Sequence, residues 1–184
     1  MEEKTGQINL IVARGTSLVI RDFKTSDPYV IVKLGNQIAK TKVIRSCLNP
    51  VWNEEFSFSF SDPAEVLKLE VFDKDIFKAD DKMGHAELSL QPLVAAARLR
   101  QILGVTTAAA AAATITKTTA TSIDGMPLRK IIPEDDNCLA ADSIINCVNG
   151  EIVQNVWLRL KDVESGDIEL TVKLINLPPA LPSK

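Results

Sequence analysis

Hydrophobic and polar residues alternate in short runs along most of the chain, which is the pattern of β-strands. The clearest run is 56–60, where phenylalanine and serine alternate, so one face of this strand is expected to be buried and the other wet. Turn residues separate the runs. The predicted strands are residues 7–13, 29–34, 38–43, 55–60, 66–72, 85–89, 143–148, 151–160 and 167–175. Many short strands at this spacing predict an all-β sandwich.

Two other patterns interrupt or join these strands. Asn149-Gly150 lies between two predicted strands and tolerates positive φ, which predicts a tight type I′ hairpin. Residues 93–103 have the spacing of a short helix. Residues 106–122 are almost pure alanine and threonine, with too little large apolar surface to build a core. We therefore predict one domain over residues 1–184, with a partly helical insert at 93–146 before the C-terminal strands.

Length, charge and cysteine content narrow the class of protein. A chain of 184 residues is long enough for one buried core, and its net charge of −3 argues against a surface built for nucleic acid. The three cysteines are irregularly spaced and there is one histidine, so neither a disulfide framework nor a zinc site is indicated. The acidic N-terminus has no apolar segment, and no run is apolar enough to span a bilayer. We expect a cytosolic protein with reduced thiols.

Aspartates are concentrated in two segments that follow predicted strands. The first, loop one, is residues 21–29, and the second, loop three, is residues 72–84. A single aspartate is most often only a turn or cap residue. Five of them at one end of a fold would repel each other without a cation, and Ca²⁺ takes 6–8 oxygen ligands of this kind. The glycine and glutamate of an EF-hand are missing after Asp73, so the sequence predicts a Ca²⁺ site assembled from distant loops.

Residues near these loops suggest contact with a membrane. Three apolar side chains at the predicted loop tips could enter an anionic interface once metal is bound, or could instead pack the loops onto the core. They are Phe23, Ile76 and Phe77. Four basic residues form a run with no acid between residues 28 and 53, and alternation would place two of them, Lys40 and Lys42, on one strand face. The run is Lys33, Lys40, Lys42 and Arg45. Such a face suits anionic lipid, or is a solvated face whose lysines limit aggregation.

The remaining aromatic and ionisable residues do not indicate catalysis. Trp52 and Trp157 lie among strand residues and are expected in the core. The one histidine, His85, has no nucleophile pattern around it, and no phosphate-binding loop is present. An enzyme is therefore the least favoured class.

The loop sequences resemble those of a C2 domain, and more narrowly those of the plant C2-domain abscisic-acid-related family, also described as small GTPase-activating C2 proteins. The general resemblance is carried by 26–30 (SDPYV), 49–54 (NPVWNE), 72–75 (FDKD) and 81–84 (DKMG). The narrower one is carried by 6–10 (GQINL), 80–84 (DDKMG), 136–140 (DNCLA) and 153–160 (VQNVWLRL). The resemblance covers nearly the whole chain, and the long Ala/Thr tract departs from the family pattern.

The resemblance implies an eight-stranded antiparallel C2 β-sandwich of the permuted, type II topology. It implies Ca²⁺ ligation by the carboxylates of Asp22, Asp27, Asp73, Asp75 and Asp81, with carbonyl help from Arg21 and Lys74. Asp80 could exchange roles with Asp81.

The resemblance also implies a function. The expected protein is a Ca²⁺-dependent phospholipid-binding module that recruits abscisic-acid receptors transiently to the plasma membrane and stimulates an Obg-like GTPase/ATPase. It would be cytoplasmic and peripheral to the plasma membrane, with the nucleus as a second location. Arginines in the insert, Arg98, Arg100 and Arg129, are candidates for a residue offered to the GTPase. The alternative is a metal-independent adaptor that binds proteins through the insert.

Overall fold

The structure is a computed structural model that describes residues 6–61, 65–113 and 125–177. These residues form ten strands and one helix. In chain order they are β1 (Gly6–Thr16), β2 (Pro28–Leu34), β3 (Gln37–Lys40), β4 (Val51–Phe60), β5 (Val66–Asp73), β6 (Asp81–Ser89), α1 (Gln91–Ala113), β7 (Pro127–Ile131), β8 (Ser143–Val148), β9 (Glu151–Arg159) and β10 (Asp167–Asn176).

The strands form two antiparallel sheets that make a sandwich. One sheet has the order β4-β1-β10-β9-β8-β7 and the other the order β3-β2-β5-β6. The last strand, β10, lies between β1 and β9. The predicted strand at 167–175 is β10, and the all-β C2 fold is confirmed.

Strict alternation of apolar and polar residues produces the core. In β10, the residues from Ile168 to Leu174 alternate between buried and half-buried, so every second side chain faces the other sheet. β5 alternates in the same way through Leu67, Leu69 and Val71. Its pattern continues to Asp73, so the period of the strand carries a carboxylate to the inner face.

The structure confirms some predicted elements and changes others. Asn149 and Gly150 have φ of 50° and 82°, as the type I′ hairpin requires, and they join β8 to β9. The predicted helix is present but longer, since α1 extends into the alanine tract as far as Ala113. The predicted strand at 38–43 was too long, because β3 ends at Lys40. Residues 114–122 of the Ala/Thr tract lie outside the described residues.

The segment from 93 to 146 contributes to the same core as the strands. Leu93, Val94 and Ala97 of α1 are buried, and so is Ile145 of β8. β7, which was not predicted, pairs with β8 and extends the larger sheet at its edge. The sequence pattern predicted nine of the ten strands, including β8 at 143–148, whereas the resemblance implied eight. β7 was not predicted because its five residues are mostly exposed and lack a clear apolar period.

The two tryptophans differ in environment. Trp52 is buried, as predicted. The core prediction for Trp157 is wrong, because β9 places this side chain on the outer face of the sheet, half-buried. There the guanidinium of Arg14 lies 5.3 Å from the ring centroid.

Candidate functional site

Loops one and three meet because the strands that flank them are antiparallel neighbours. Pro28 at the start of β2 pairs with Asp73 at the end of β5. The Asp27 amide donates to Asp73 Oδ1 at 2.6 Å, and the Lys74 amide donates to the Asp27 carbonyl at 3.0 Å. Asp27 Oδ1 also accepts from the Ser46 amide at 2.7 Å. These bonds fix the bases of the two loops against each other.

Asp73 is the buried centre of the cluster. Its side chain is 0% exposed, and Oδ2 has no hydrogen-bond partner among the described residues. Burial raises the pKa of this carboxyl above its ordinary value, and the charges of Asp22, Asp75 and Asp27 raise it further, against a lowering by the Asp27 amide. When ionised, Asp73 is thus a buried charge without a cation bonded to it in the described part of the chain.

The donor set fits a hard cation. Asp75 Oδ2 is a second buried oxygen without a hydrogen bond, two residues beyond Asp73. Buried polar atoms are normally hydrogen-bonded, so Asp73 Oδ2, which has no cation bonded to it in the described residues, indicates a missing positive partner. Asp75 Oδ2 also lacks a hydrogen bond but has the Lys78 ammonium 3.6 Å away. Ca²⁺ accepts carboxylate oxygens with adaptable geometry. The residues that would hold it are Asp22, Asp27, Asp73, Asp75 and Asp81.

The structure does not assemble a closed cage from these carboxylates. Within residues 6–61, 65–113 and 125–177, no group of three histidine, cysteine, aspartate or glutamate side chains converges as a preformed metal site. Asp81 is held instead by the ammonium of Lys78, at 2.7 Å from Asp81 Oδ2. Lys78 was not among the predicted site residues, although it lies three residues from both Asp75 and Asp81.

Asp80 has a structural role, which separates it from Asp81. Its carboxylate accepts from the Tyr29 hydroxyl at 2.5 Å, from Lys74 Nζ at 3.1 Å and from the Asp75 amide at 3.0 Å. The bond from Tyr29 is the main cause that holds the pKa of Asp80 below its ordinary value. With its oxygens already occupied, Asp80 is a poor metal ligand, and Asp81 is the better candidate of the two.

Arg21 stabilises loop one through several bonds. Its amide donates to Ser26 Oγ at 2.8 Å, and its side chain reaches the Lys82 carbonyl at 3.0 Å and Glu164 at 3.3 Å. The guanidinium is therefore turned toward β6 and the β9–β10 connection.

The apolar loop tips face solvent. Phe23, Ile76 and Phe77 are 94%, 77% and 98% exposed. The alternative in which these side chains pack the loops onto the core is therefore not what the structure has.

The predicted basic strand face is not formed as expected. Because β3 ends at Lys40, Lys42 lies beyond the strand, and the prediction that the two share a strand face is wrong. Lys40 Nζ lies 3.9 Å from the centroid of the Tyr29 ring.

The other basic residues of the predicted run also lie in different environments. Lys33 of β2 forms an ion pair with Glu70 of β5. Lys68 Nζ on β5 lies 3.8 Å from Glu87 Oε1 on β6. Arg45 is exposed in the connection after β3. The face of the smaller sheet therefore alternates in charge.

The three arginines of the insert fall into two places. Arg98 of α1 and Arg129 of β7 line one cleft of about 340 Å³ together with Gln91, and Arg98 Nη2 is buried without a hydrogen bond from the described residues. Arg100 instead donates to the Gly150 carbonyl at 2.5 Å. The structure thus brings two of the three candidates together.

No helix among the described residues combines the length and apolarity that a bilayer crossing requires.

Comparison with known proteins agrees with this architecture. The family model described as "C2 domain" matches residues 6–104. The Arabidopsis thaliana protein named "Protein C2-DOMAIN ABA-RELATED 11" is 58% identical over 178 residues, covering 97% of this chain and 98% of its own length. "GTPase activating protein 1" of Oryza sativa subsp. indica is 42% identical over 173 residues, covering 94% and 93%.

Solved structures agree on the fold. A C2 domain of plant Extended Synaptotagmin 1 has a TM-score of 0.53 at 22% identity and covers 96% of this chain and 97% of its own. Calcium-bound Extended-Synaptotagmin 2 has a TM-score of 0.57 at 21% identity, covering 93% of this chain and 46% of that one. From its sequence and fold together, the chain belongs to the C2-domain family and, within it, to the C2-domain ABA-related proteins.

Proposed function

We propose that this chain is a Ca²⁺-dependent module that docks on anionic phospholipid through loops one and three. The observation that carries the proposal is the pair of buried oxygens without hydrogen bonds, on Asp73 and Asp75, in loops whose tips expose Phe23 and Phe77. Asp73 Oδ2 has no cation bonded to it in the described residues, and an apolar surface would remove the exposed phenylalanine rings from water. Once the divalent ion is bound, a membrane next to it supplies the apolar surface.

The loops would act as an electrostatic switch. Without metal, the charges of Asp22, Asp27, Asp73 and Asp75 repel an anionic headgroup. A bound Ca²⁺ supplies positive charge at this end of the sandwich and leaves coordination positions for lipid oxygens. The bonds between the loop bases already exist, so the change in field requires little change in fold. Phe23 and Phe77 then enter the interface.

The relatives suggest what such docking is for. One is named as abscisic-acid-related, and we infer that the module brings abscisic-acid receptors to the plasma membrane transiently from the cytoplasm, with the nucleus as a second location. The chain is then a regulatory binding module and not an enzyme.

Co-sedimentation with phosphatidylserine vesicles tests this function. Wild type is compared with Asp75→Asn and with Glu151→Gln, each in Ca²⁺ and in chelator. Glu151 is the matched control because it starts β9 at the hairpin end, away from the metal loops. We expect Ca²⁺-dependent pelleting of wild type and of the control, and a loss in Asp75→Asn. If all three proteins pellet in chelator as much as they do in Ca²⁺, the switch is refuted and a metal-independent adaptor is favoured.

A second candidate function is stimulation of an Obg-like GTPase/ATPase. It is favoured by the name of the rice relative and by the cleft that Arg98 and Arg129 share on the insert. An arginine offered in trans can stabilise the charge that develops in phosphoryl transfer. Arg98→Ala and Arg129→Ala should reduce stimulation of such a partner. Arg14→Ala, on the outer face of the larger sheet, should not.

A further inference from the structure

Lys78 provides a cation inside the proposed metal site. Its Nζ lies 2.7 Å from Asp81 Oδ2 and 3.6 Å from Asp75 Oδ2. The ammonium therefore stands between two carboxylates that Ca²⁺ would use. Loop three makes this possible because Lys78 is three residues from each partner.

The pairing is selective. The other nearby lysine of loop three, Lys74, contacts Asp80, which the Tyr29 hydroxyl also binds. In the part of the chain that the structure describes, no second lysine or arginine forms an ion pair with Asp75 or Asp81.

The site therefore has two unlike parts. Asp73 is buried, and the charges of Asp22, Asp27 and Asp75 act on it without a cation bonded to its free oxygen in the described residues. We call this the inner position. The gap between Asp75 and Asp81 is more open, since the Asp81 side chain is 39% exposed, and it already holds an ammonium. We call this the outer position.

We propose that Lys78 is a tethered competitor of metal at the outer position, so that Ca²⁺ binds first at the inner position and reaches the outer one only by displacing the ammonium. This inference rests on the proposed function. It makes Lys78 a residue that sets how many ions the loops take and at what Ca²⁺ concentration. A divalent ion and the ammonium compete for the same two carboxylates, because both bind carboxylate oxygens and they repel each other.

Calorimetric titration with CaCl₂ tests the inference on the whole chain. The test variant is Lys78→Met, which keeps much of the length of the side chain and removes its charge. The matched control is Lys24→Met in loop one, where Nζ lies 5.8 Å from the Phe23 ring centroid and is not ion-paired to a carboxylate of the described residues. Both variants lose one positive charge from the same end of the sandwich.

Lys78→Met should bind Ca²⁺ about tenfold more tightly, or take up one additional ion, and Lys24→Met should stay within about twofold of wild type. An ammonium displaced to about 6 Å from a divalent ion in water lowers its affinity by about that factor. In chelator at low salt, Lys78→Met should also melt at a lower temperature than wild type, because the loop carboxylates lose their counter-charge. Added salt should reduce that difference.

The outcomes separate the inference from the proposed function. If wild type and Lys78→Met bind Ca²⁺ identically, the inference is wrong and the Ca²⁺ module stands. If only Lys78→Met binds Ca²⁺, the inference holds and the native chain is not a Ca²⁺ switch. If neither protein binds Ca²⁺, both ideas fail. An equal gain in Lys24→Met would also overturn the inference, because it would assign the effect to net charge.

Discussion

Replacing Asp73 by asparagine should stabilise the metal-free protein while it abolishes metal binding. Asparagine keeps the oxygen that accepts from the Asp27 amide, and it removes the charge from a side chain that is 0% exposed. It also replaces Oδ2, which has no hydrogen bond, by an amide that can donate toward Asp22 or Asp75. The substitution thus removes repulsion without removing the bond that joins the loops.

The size of the effect follows from the state of the buried oxygen. An unpaired buried polar group costs about 1–3 kcal/mol, and the open loop tips favour the lower half of that range. For a domain of this length, about 1–2 kcal/mol corresponds to a rise in Tm of about 2–8 °C.

The raised pKa of Asp73 determines how the stabilisation by this substitution changes with pH. Because the pKa of Asp73 is raised in the folded chain, the folded state takes up this proton more readily than the unfolded chain does. The contribution of Asp73 therefore favours folding below the ordinary carboxyl pKa and is lost as pH rises through the raised value. The advantage of Asp73→Asn should be full at pH 7 and should shrink as the solution is acidified.

Thermal unfolding in chelator, at pH 7 and at acid pH, is the assay. Asp80→Asn is the matched control, because the carboxylate of Asp80 is satisfied by Tyr29, Lys74 and the Asp75 amide. Its neutralisation should lower Tm. A fall in Tm for Asp73→Asn at pH 7 would refute the description of Asp73 as a buried, uncompensated charge, and equal shifts for both variants would reduce the effect to net charge.

Three further predictions concern other parts of the structure. Phe77→Ala should leave the free energy of unfolding within about 0.5 kcal/mol, since the ring is 98% exposed, and should weaken Ca²⁺-dependent vesicle binding about fivefold; unchanged binding would remove this ring from the membrane contact. Tyr29→Phe should make acid unfolding begin at a higher pH, because the phenol lowers the pKa of Asp80 and so adds stability that is present above the unfolded-state pKa and lost below the folded one; an unchanged acid transition would contradict this. Gly84→Ala should lower the free energy of unfolding by about 2 kcal/mol or more, because φ is +100° and an added Cβ would lie 2.6 Å from Val163 Cγ1. Gly125→Ala is the control, because its φ is +85° but an added Cβ meets open space, and its loss should be smaller. Equal losses in chemical denaturation would mean that backbone strain alone, and not the clash, causes the loss.

Local pattern was enough to predict much of the sandwich. Period-two alternation marks the strand at 56–60 and the strand at 167–175 because each has one face in the core. The dipeptide Asn149-Gly150 predicts its hairpin because few residues accept positive φ. These features depend on neighbours in the chain, and a single sequence contains that information.

Long-range placement was not predictable in the same way. β7 has no apolar period of its own and is a strand because β8 offers it an edge. As a tryptophan in a strand, Trp157 would be expected in the core, yet the register of β9 puts it on the outer face. Which face a strand presents is decided by its partners, and those partners are distant in sequence.

The candidate site divides along the same line. The sequence alone shows five aspartates in two segments that follow predicted strands, and these predict a cation site. They are Asp22, Asp27, Asp73, Asp75 and Asp81. The folded molecule adds that Asp73 is buried with an oxygen that has no hydrogen bond, that Asp80 is held by Tyr29 and that Lys78 stands between Asp75 and Asp81. Burial and hydrogen bonding at the site depend on atoms from β2, β5 and loop three together. The relative positions of these atoms are set by the tertiary structure and cannot be read from one stretch of sequence.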